Sequence, residues 1–214
     1  MLTDDSQVKT GLKPLKVDQI LLAAEVEFAE RGFEGAGMKG IAKRGDVSQA
    51  LLHYHFGTKD KLYAEVIAQR SKKINEERLG LLAQVDLTSK TALSGILNAL
   101  FRPPLGPSGG ARSYARIFSG LIVGRERDQA LVKEHYDPTA QKFIESIRIV
   151  LGHDDRVVAA QSYTLALGAL IAVIARDGRV ERLMGESRQK QDIEEILEQL
   201  IKFSTGGVLA LAAA

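Results

Sequence analysis

The chain of 214 residues contains no cysteine, which excludes a disulfide framework, a thiol nucleophile and any zinc site that needs thiolates. The reducing cytoplasm is therefore the expected compartment. Strand-like runs are missing as well: no segment sustains period-two alternation or β-branched enrichment, so an all-α fold is expected. The stretch from Met1 to Pro14 lacks the apolar core of a secretion signal, and Asp4, Asp5, Lys9 and Lys13 in it read as a solvated arm. Nor is there much excess charge, with 29 Lys and Arg against 27 Asp and Glu. Composition alone does not announce nucleic acid.

Long apolar runs are scarce too. The most apolar one, Val157 to Ala175, carries Gln161, Ser162 and Thr164 near its start. Its uninterrupted part is expected to fall short of a hydrocarbon core of roughly 30 Å and to form a buried helix, with no membrane partner.

What is present is an ordinary globular composition, 45% hydrophobic and 26% charged, at a length that suits a small domain joined to a larger one. We place the boundary at 1–61 and 62–214. Charge is sorted between neighbouring segments of the first part. Asp18, Glu25, Glu27, Glu30 and Glu34 face a single base, Arg31, whereas Lys39, Lys43, Arg44, Lys59 and Lys61 outnumber Asp46 and Asp60. A local basic face is enough to meet phosphates, because screening confines the interaction to about 8–10 Å.

Helical periodicity places a first helix over about Lys16 to Arg31, stopped by Gly32. Two short helices follow, about Met38 to Arg44 and Ser48 to His55, separated by Gly45-Asp46-Val47, which is turn chemistry of helix-turn-helix length. A fourth helix starts after Gly57 with Thr58 as cap and runs to about Leu82. Ser89 to Phe101 reads as a helix ended by Pro103-Pro104, leaving Arg102 to Gly110 as a loop. Tyr114 to Val123, Gln129 to Tyr136 and Pro138 to Leu151 read as helices, the last capped by Asp137 and closed by Gly152. Two long helices complete the chain, Asp154 to Asp177 and about Ser187 to Thr205, joined by a loop around Gly178 and Gly185.

The informative block is GMKGIAKRGDVSQALLHYHFGTKDKL, Gly37 to Leu62. Two steeply crossed short helices leave little room, and Ile41 and Ala42 are suitably compact for the contact. Val47 plugs the turn, Ser48 caps the second helix, and Leu51 or Leu52 with Phe56 faces inward. With ILLAAEVEFAERGFEGAG before it, this block closely resembles the DNA-binding domain of the TetR family of bacterial regulators. The likeness spans about Val17 to Ile67 and rests on Ala23-Ala24, Phe28-Ala29, Gly32-Phe33, Ile41-Ala42, Val47-Ser48 and His55-Phe56 with Lys59 and Leu62.

The resemblance implies a three-helix DNA-binding domain followed by a helical domain for effector binding and dimerisation. It puts the helix Ser48 to Tyr54 in the major groove, with Gln49 and Ala50 at base edges, since Gln pairs with adenine and the Ala methyl meets a thymine methyl. Lys39, Ser48, His53, Tyr54, His55 and Lys59 are then expected mainly at phosphates, fixing register. Three positions depart from the family pattern. Gly45-Asp46 stands where Ala-Gly is common, though Asp tolerates a left-handed turn conformation. Gly37 replaces a Ser or Thr cap, and His53 occupies a common Tyr position.

Simpler readings compete at several of these residues. His53 and His55 lie two apart, on different faces of a helix, with no third ligand nearby, so no metal site is expected. GFEGAG follows a helix and has the wrong glycine spacing for a dinucleotide loop, so no cofactor is expected. Lys39, Lys43 and Arg44 would be a solvated face in an arbitrary helical protein.

For the larger domain the resemblance implies that the last two long helices pair with their copies in a homodimer. Two recognition helices about 34–36 Å apart would then read a near-palindromic operator. An effector pocket is expected between the middle helices, fronted by Leu97, Phe101, Tyr114, Phe118, Ile122 and Phe143, and suited to a largely apolar small molecule. Arg102, Arg116 and Arg125 are candidate anion partners.

The expected function is a ligand-released repressor. One rival keeps DNA binding but needs no effector: an activator, or a DNA-binding partner of another protein. A remoter rival is a helical-bundle enzyme, which lacks a Glu-x-x-His pair and G-x-S-x-G.

Overall fold

The computed structural model describes residues 14–122, 124–152, 156–175, 179–185 and 192–213, all helix, turn or connecting coil. It separates into two compact units, Met1–Val66 and Ile67–Ala214. The division falls inside a helix, five residues beyond the expected point, because Leu62, Tyr63 and Val66 are buried and the Tyr63 ring packs edge-on against Phe28 at 4.9 Å.

The first unit holds α1 (Pro14–Gly35), α2 (Met38–Arg44), α3 (Gln49–Phe56) and the start of α4 (Lys59–Leu82). Gly32 breaks the helical path of α1 with φ 67° and ψ 173°, a conformation that only glycine adopts without strain. The turn then folds Phe33 back to stack on Phe28 and to meet Tyr63. Ile20, Ala24, Phe28, Ile41, Leu52 and Leu62 close the core, each nearly or fully removed from water. Gly40 lies close under α1 at this crossing, and a Cβ there would displace the Glu27 carboxylate, whose oxygen is 2.5 Å from that position.

The second unit continues α4 and adds α5 (Ala92–Leu105), a single 3-10 turn (Pro107–Gly109), α6 (Ala111–Ile122), α7 (Glu126–His135), α8 (Asp137–Leu151), α9 (Arg156–Ala175), α10 (Arg179–Met184) and α11 (Ile193–Ala212). Helix α11 packs on α5 and α9, α8 on α9, and α6 on α7 and α9. Gly152 closes α8 with φ 66°, the left-handed cap expected of it.

Several expectations need correction. Helix α5 does not stop before its prolines: Pro103 and Pro104 are inside it, so Arg102 to Gly110 is a helix end and a 3-10 turn rather than a loop. Prolines remove two intrahelical bonds here, those to the Ala99 and Leu100 carbonyls, and a side chain of α4, Arg78, donates to the second of these. Helix α7 starts earlier than expected, at Glu126, where Asp128 accepts from the Arg125 backbone N–H at 3.2 Å. Asp137 is the first residue of α8 rather than its cap, which falls on Tyr136.

The segment expected to be a loop before Gly185 contains α10. Helix α11 runs on through Gly206-Gly207 to Ala212 because its buried stripe, Leu197, Leu200, Ser204 and Val208, extends that far. The expected ends at Val123, Asp154, Asp177 and Gly178, the start at Ser187 and the N-terminal arm before Pro14 lie outside the described residues.

Helix α9 departs from expectation as well. By length and composition Arg156–Ile174 is long and apolar enough to cross a membrane, and only 33% of that window is buried. It is not a plain core helix. Ala159, Ala166 and Leu170 turn inward, while Val157 and Leu165 stand in the open at 59% and 62% exposure.

Candidate functional site

The local sequence builds α2 and α3 with few long-range demands. At the end of α2 the Val47 N–H reaches back to the Ala42 carbonyl at 3.0 Å and the Gly45 N–H to Ile41 at 2.9 Å. Asp46 between them has φ 50°. This is a Schellman-type stop with aspartate in the left-handed position usually given to glycine. Ser48 then caps α3, its Oγ accepting from the Leu51 N–H at 3.1 Å.

Leu52 is the side chain of α3 that enters the core, and Gln49, Ala50, His53, Tyr54 and His55 are left exposed, Tyr54 by 76%. The outward face is ordered by its own contacts. His53 Nδ1 lies 2.8 Å from the Gly57 carbonyl, which can only accept, so Nδ1 carries the proton. In the neutral ring Nε2 is then an acceptor, and the Gln49 amide nitrogen lies 3.3 Å from it. The Gln49 amide is thereby oriented by its neighbour one turn on. The Tyr54 ring meets His55 edge to face at 4.9 Å.

Not every base of the block is available to a ligand. Arg44 is held by Glu27 and Glu30 of α1, at 3.2 and 2.5 Å, so part of the charge sorting seen in the sequence is spent inside the unit. Lys59 is also committed. Its Nζ donates to the carbonyls of Phe33 at 2.8 Å, Ala36 at 3.1 Å and Glu34 at 3.5 Å, and sits 4.4 Å from the Phe33 ring centre. Three N–H groups meet three carbonyls, so Lys59 braces the end of α1 instead of reaching outward as expected. Lys39 and Lys43 are exposed on α2.

In the second unit, a narrow cavity is lined by side chains of α4, α6 and α9 together with Pro104, Gly109 and Tyr136. Its space is about 10 Å³ at the scale of a water molecule, room for about one. Tyr114 and Phe118, both anticipated, are on its wall. Leu97, Phe101 and Phe143 are instead fully buried in packing, and Ile122 is half-buried, away from the lining.

The cavity has a cation that the sequence did not suggest. Arg78 of α4 is 1% exposed and its Nε donates to the Leu100 carbonyl at 3.0 Å. Of the three arginines proposed as anion partners, Arg102 grips Glu194 of α11 in a two-pronged pair at 2.7 and 2.9 Å, Arg116 is exposed and Arg125 sits at the start of α7. None of the three lines the cavity.

The Tyr114 and Tyr136 hydroxyls bond to one another beside Arg78. Burial pushes the Tyr136 phenol above its ordinary value and the Arg78 guanidinium below its own.

Residues 20–66 match the family described as bacterial regulatory proteins, tetR family, and residues 96–207 match a tetracyclin repressor-like C-terminal domain. The chain is 26% identical over 191 residues to the HTH-type transcriptional activator FasR of Mycolicibacterium smegmatis, a match covering 89% of this chain and 81% of that one. Over 72 residues it is 38% identical to an HTH-type transcriptional repressor of Mycobacterium tuberculosis, covering 34% of this chain and 38% of the repressor.

Among solved structures, a TetR-like transcriptional regulator from Rhodococcus superposes with a TM-score of 0.66 at 21% identity, covering 94% and 99% of the two chains. The fatty acid degradation regulator FadR of Bacillus halodurans superposes at 0.69 and 16% identity, covering 92% and 98%.

Proposed function

The chain belongs to the TetR family of bacterial transcriptional regulators, and from that membership we propose that it grips a near-palindromic operator as a homodimer and is released by a small, largely apolar molecule. It is a DNA-binding regulator and not an enzyme. The observation that carries the DNA-reading part is α3 itself, anchored by Leu52 while Gln49, Ala50, His53 and Tyr54 remain outside. Gln49 and Ala50 meet base edges, His53 orients the Gln49 amide, and Lys39, Ser48, Tyr54 and His55 meet phosphates. Lys59 contributes by holding the end of α1 in place. The protein acts in the cytoplasm, where bacterial DNA lies.

The apolar surface left open on the last helices supports the homodimer. Val157 and Leu165 on α9, and Phe203 and Leu209 on α11, are exposed, Phe203 by 73%. A Cβ at Gly168, Gly206 or Gly207 would meet nothing within 4 Å, so a second copy can approach the backbone closely. Burying such side chains stabilises association at about 25 cal/mol per Å² before the cost of ordering. An α9 so apolar and so little buried is accounted for by a partner helix.

Release follows from linkage: an effector that favours a conformer with mis-spaced recognition helices weakens DNA binding by the factor by which DNA weakens effector binding. The narrow cavity favours such a scheme, because a ligand must part its walls to enter. One wall is α4, the helix that also supplies Leu62, Tyr63 and Val66 to the first unit. The activator among the relatives supports a second reading, in which the same DNA grip raises transcription. A reporter fused to the bound promoter, in cells with and without the gene, separates the two: repression predicts higher output without the protein, activation lower.

A further inference from the structure

Arg78 is buried with its chemistry unfinished. Nε is spent on the Leu100 carbonyl, but Nη2 is fully enclosed and has no hydrogen-bond partner. The polar side chains that act on it are the neutral phenols of Tyr163, Tyr136 and Tyr114, with no carboxylate of the described residues among them. A guanidinium stays protonated in such a setting, and a buried, unpaired cation is costly. Bracing α5 explains one N–H only. A neutral amide such as glutamine supplies one donor to a carbonyl, so the positive charge requires another reason.

The cavity beside this charge is otherwise mostly apolar, with Ile74, Ala115, Phe118 and Ile174 on its wall. The Tyr114 and Tyr136 hydroxyls, bonded to each other, add polar atoms that can both donate and accept. We propose that this cavity, its walls parted by the ligand, binds a small apolar monocarboxylate, its carboxylate on Arg78 Nη2 and its body against Ile74, Ala115, Phe118 and Ile174. A charge-assisted bond from guanidinium to carboxylate is of the strong class, and a low-dielectric pocket strengthens it further. A phosphate, with two charges and three terminal oxygens, asks for more donors than one Nη2 and a tyrosine pair provide.

The assignment rests on the reading of the second unit as an effector domain, and the test separates the two. Benzoate and hexanoate are titrated into the full-length protein by calorimetry at neutral pH and fixed ionic strength, alongside their uncharged isosteres benzamide and hexanamide. At least one acid is expected to bind tenfold or more tightly than its amide. In Arg78→Gln, which keeps a donor for the Leu100 carbonyl, acid and amide are expected to come within threefold of each other.

Equal binding of acid and amide by the natural protein, or binding of neither, overturns the site even if the variant does not fold. Retention of the acid preference in a folded variant overturns it too. Gel shifts with the same probes report on the effector role alone: an acid that binds through Arg78 without changing DNA affinity upholds the site and removes the effector role. An amide that releases DNA as well as its acid keeps an effector pocket and overturns the anion site.

Discussion

Arg78 donates to the carbonyl of Leu100, and that carbonyl is the one whose helical donor would have been the N–H of residue 104, a proline. A helix interior proline and a buried arginine thus complete one another across two helices. The arrangement predicts energetic coupling. Arg78→Met leaves the carbonyl buried without a donor, at a cost of about 1–3 kcal/mol. In a Pro104→Ala background, the alanine supplies a backbone N–H of its own and the same change costs less. A double-mutant cycle by urea unfolding should give a coupling of roughly 0.5–3 kcal/mol in that direction, and additivity would show that the bond contributes nothing.

Gly109 meets the same proline from the other side. A Cβ at this position would collide with the Pro104 carbonyl group, which is backbone, with no flexible side chain to yield. Gly109→Ala is expected to destabilise by about 1–3 kcal/mol as an overpacked contact. Thermal melting checks it, and an unchanged midpoint would mean that the α5 end and the 3-10 turn separate freely.

Asp46 is the non-glycine residue with positive φ among those described. A β-branched side chain fits that region poorly, so Asp46→Val should cost about 1–2 kcal/mol. Asp46→Gly should fold at least as stably as the natural chain. The pair of melts isolates backbone strain from any loss of charge, because both variants remove the carboxylate.

Lys59 offers a contrast with Lys39. With its ammonium spent on three carbonyls of the α1 end, Lys59→Ala should lower the unfolding midpoint and leave the salt dependence of DNA binding close to that of the natural protein. Lys39→Ala, at an exposed position, should weaken binding to all sequences alike and reduce the salt slope by about one ion. Titrations at several salt concentrations distinguish them.

The parts of the fold written in local chemistry were legible beforehand. Gly32, the Gly45-Asp46 turn, the Ser48 and Thr58 caps and the Gly152 stop all act within a few residues, and α2, α3 and the outward face of α3 followed from them. What depended on distant partners was not. Pro103-Pro104 signals a helix end in any sequence, and only the packing around α5, including the Arg78 bond, explains why the helix continues. Arg78 lies in a run of charged residues, Glu76-Glu77-Arg78, that reads as a solvated face. Its burial is visible only once α5 and α6 are in place. The bracing role of Lys59 is hidden for the same reason, since nothing local reveals three carbonyls more than 20 residues away.

The central claim is that α3 reads bases through a Gln49 amide oriented by His53. The most direct measurement is a binding titration, with footprinting, on the DNA upstream of the protein's own coding region and on a set of single-base variants of the protected site. The natural protein should protect two symmetric half-sites. Gln49→Ala should lose about 1–3 kcal/mol and relax preference at one position in each half-site, and His53→Phe should relax the same position. Equal affinity of the natural protein for every variant, or a Gln49→Ala profile indistinguishable from it, would contradict the account.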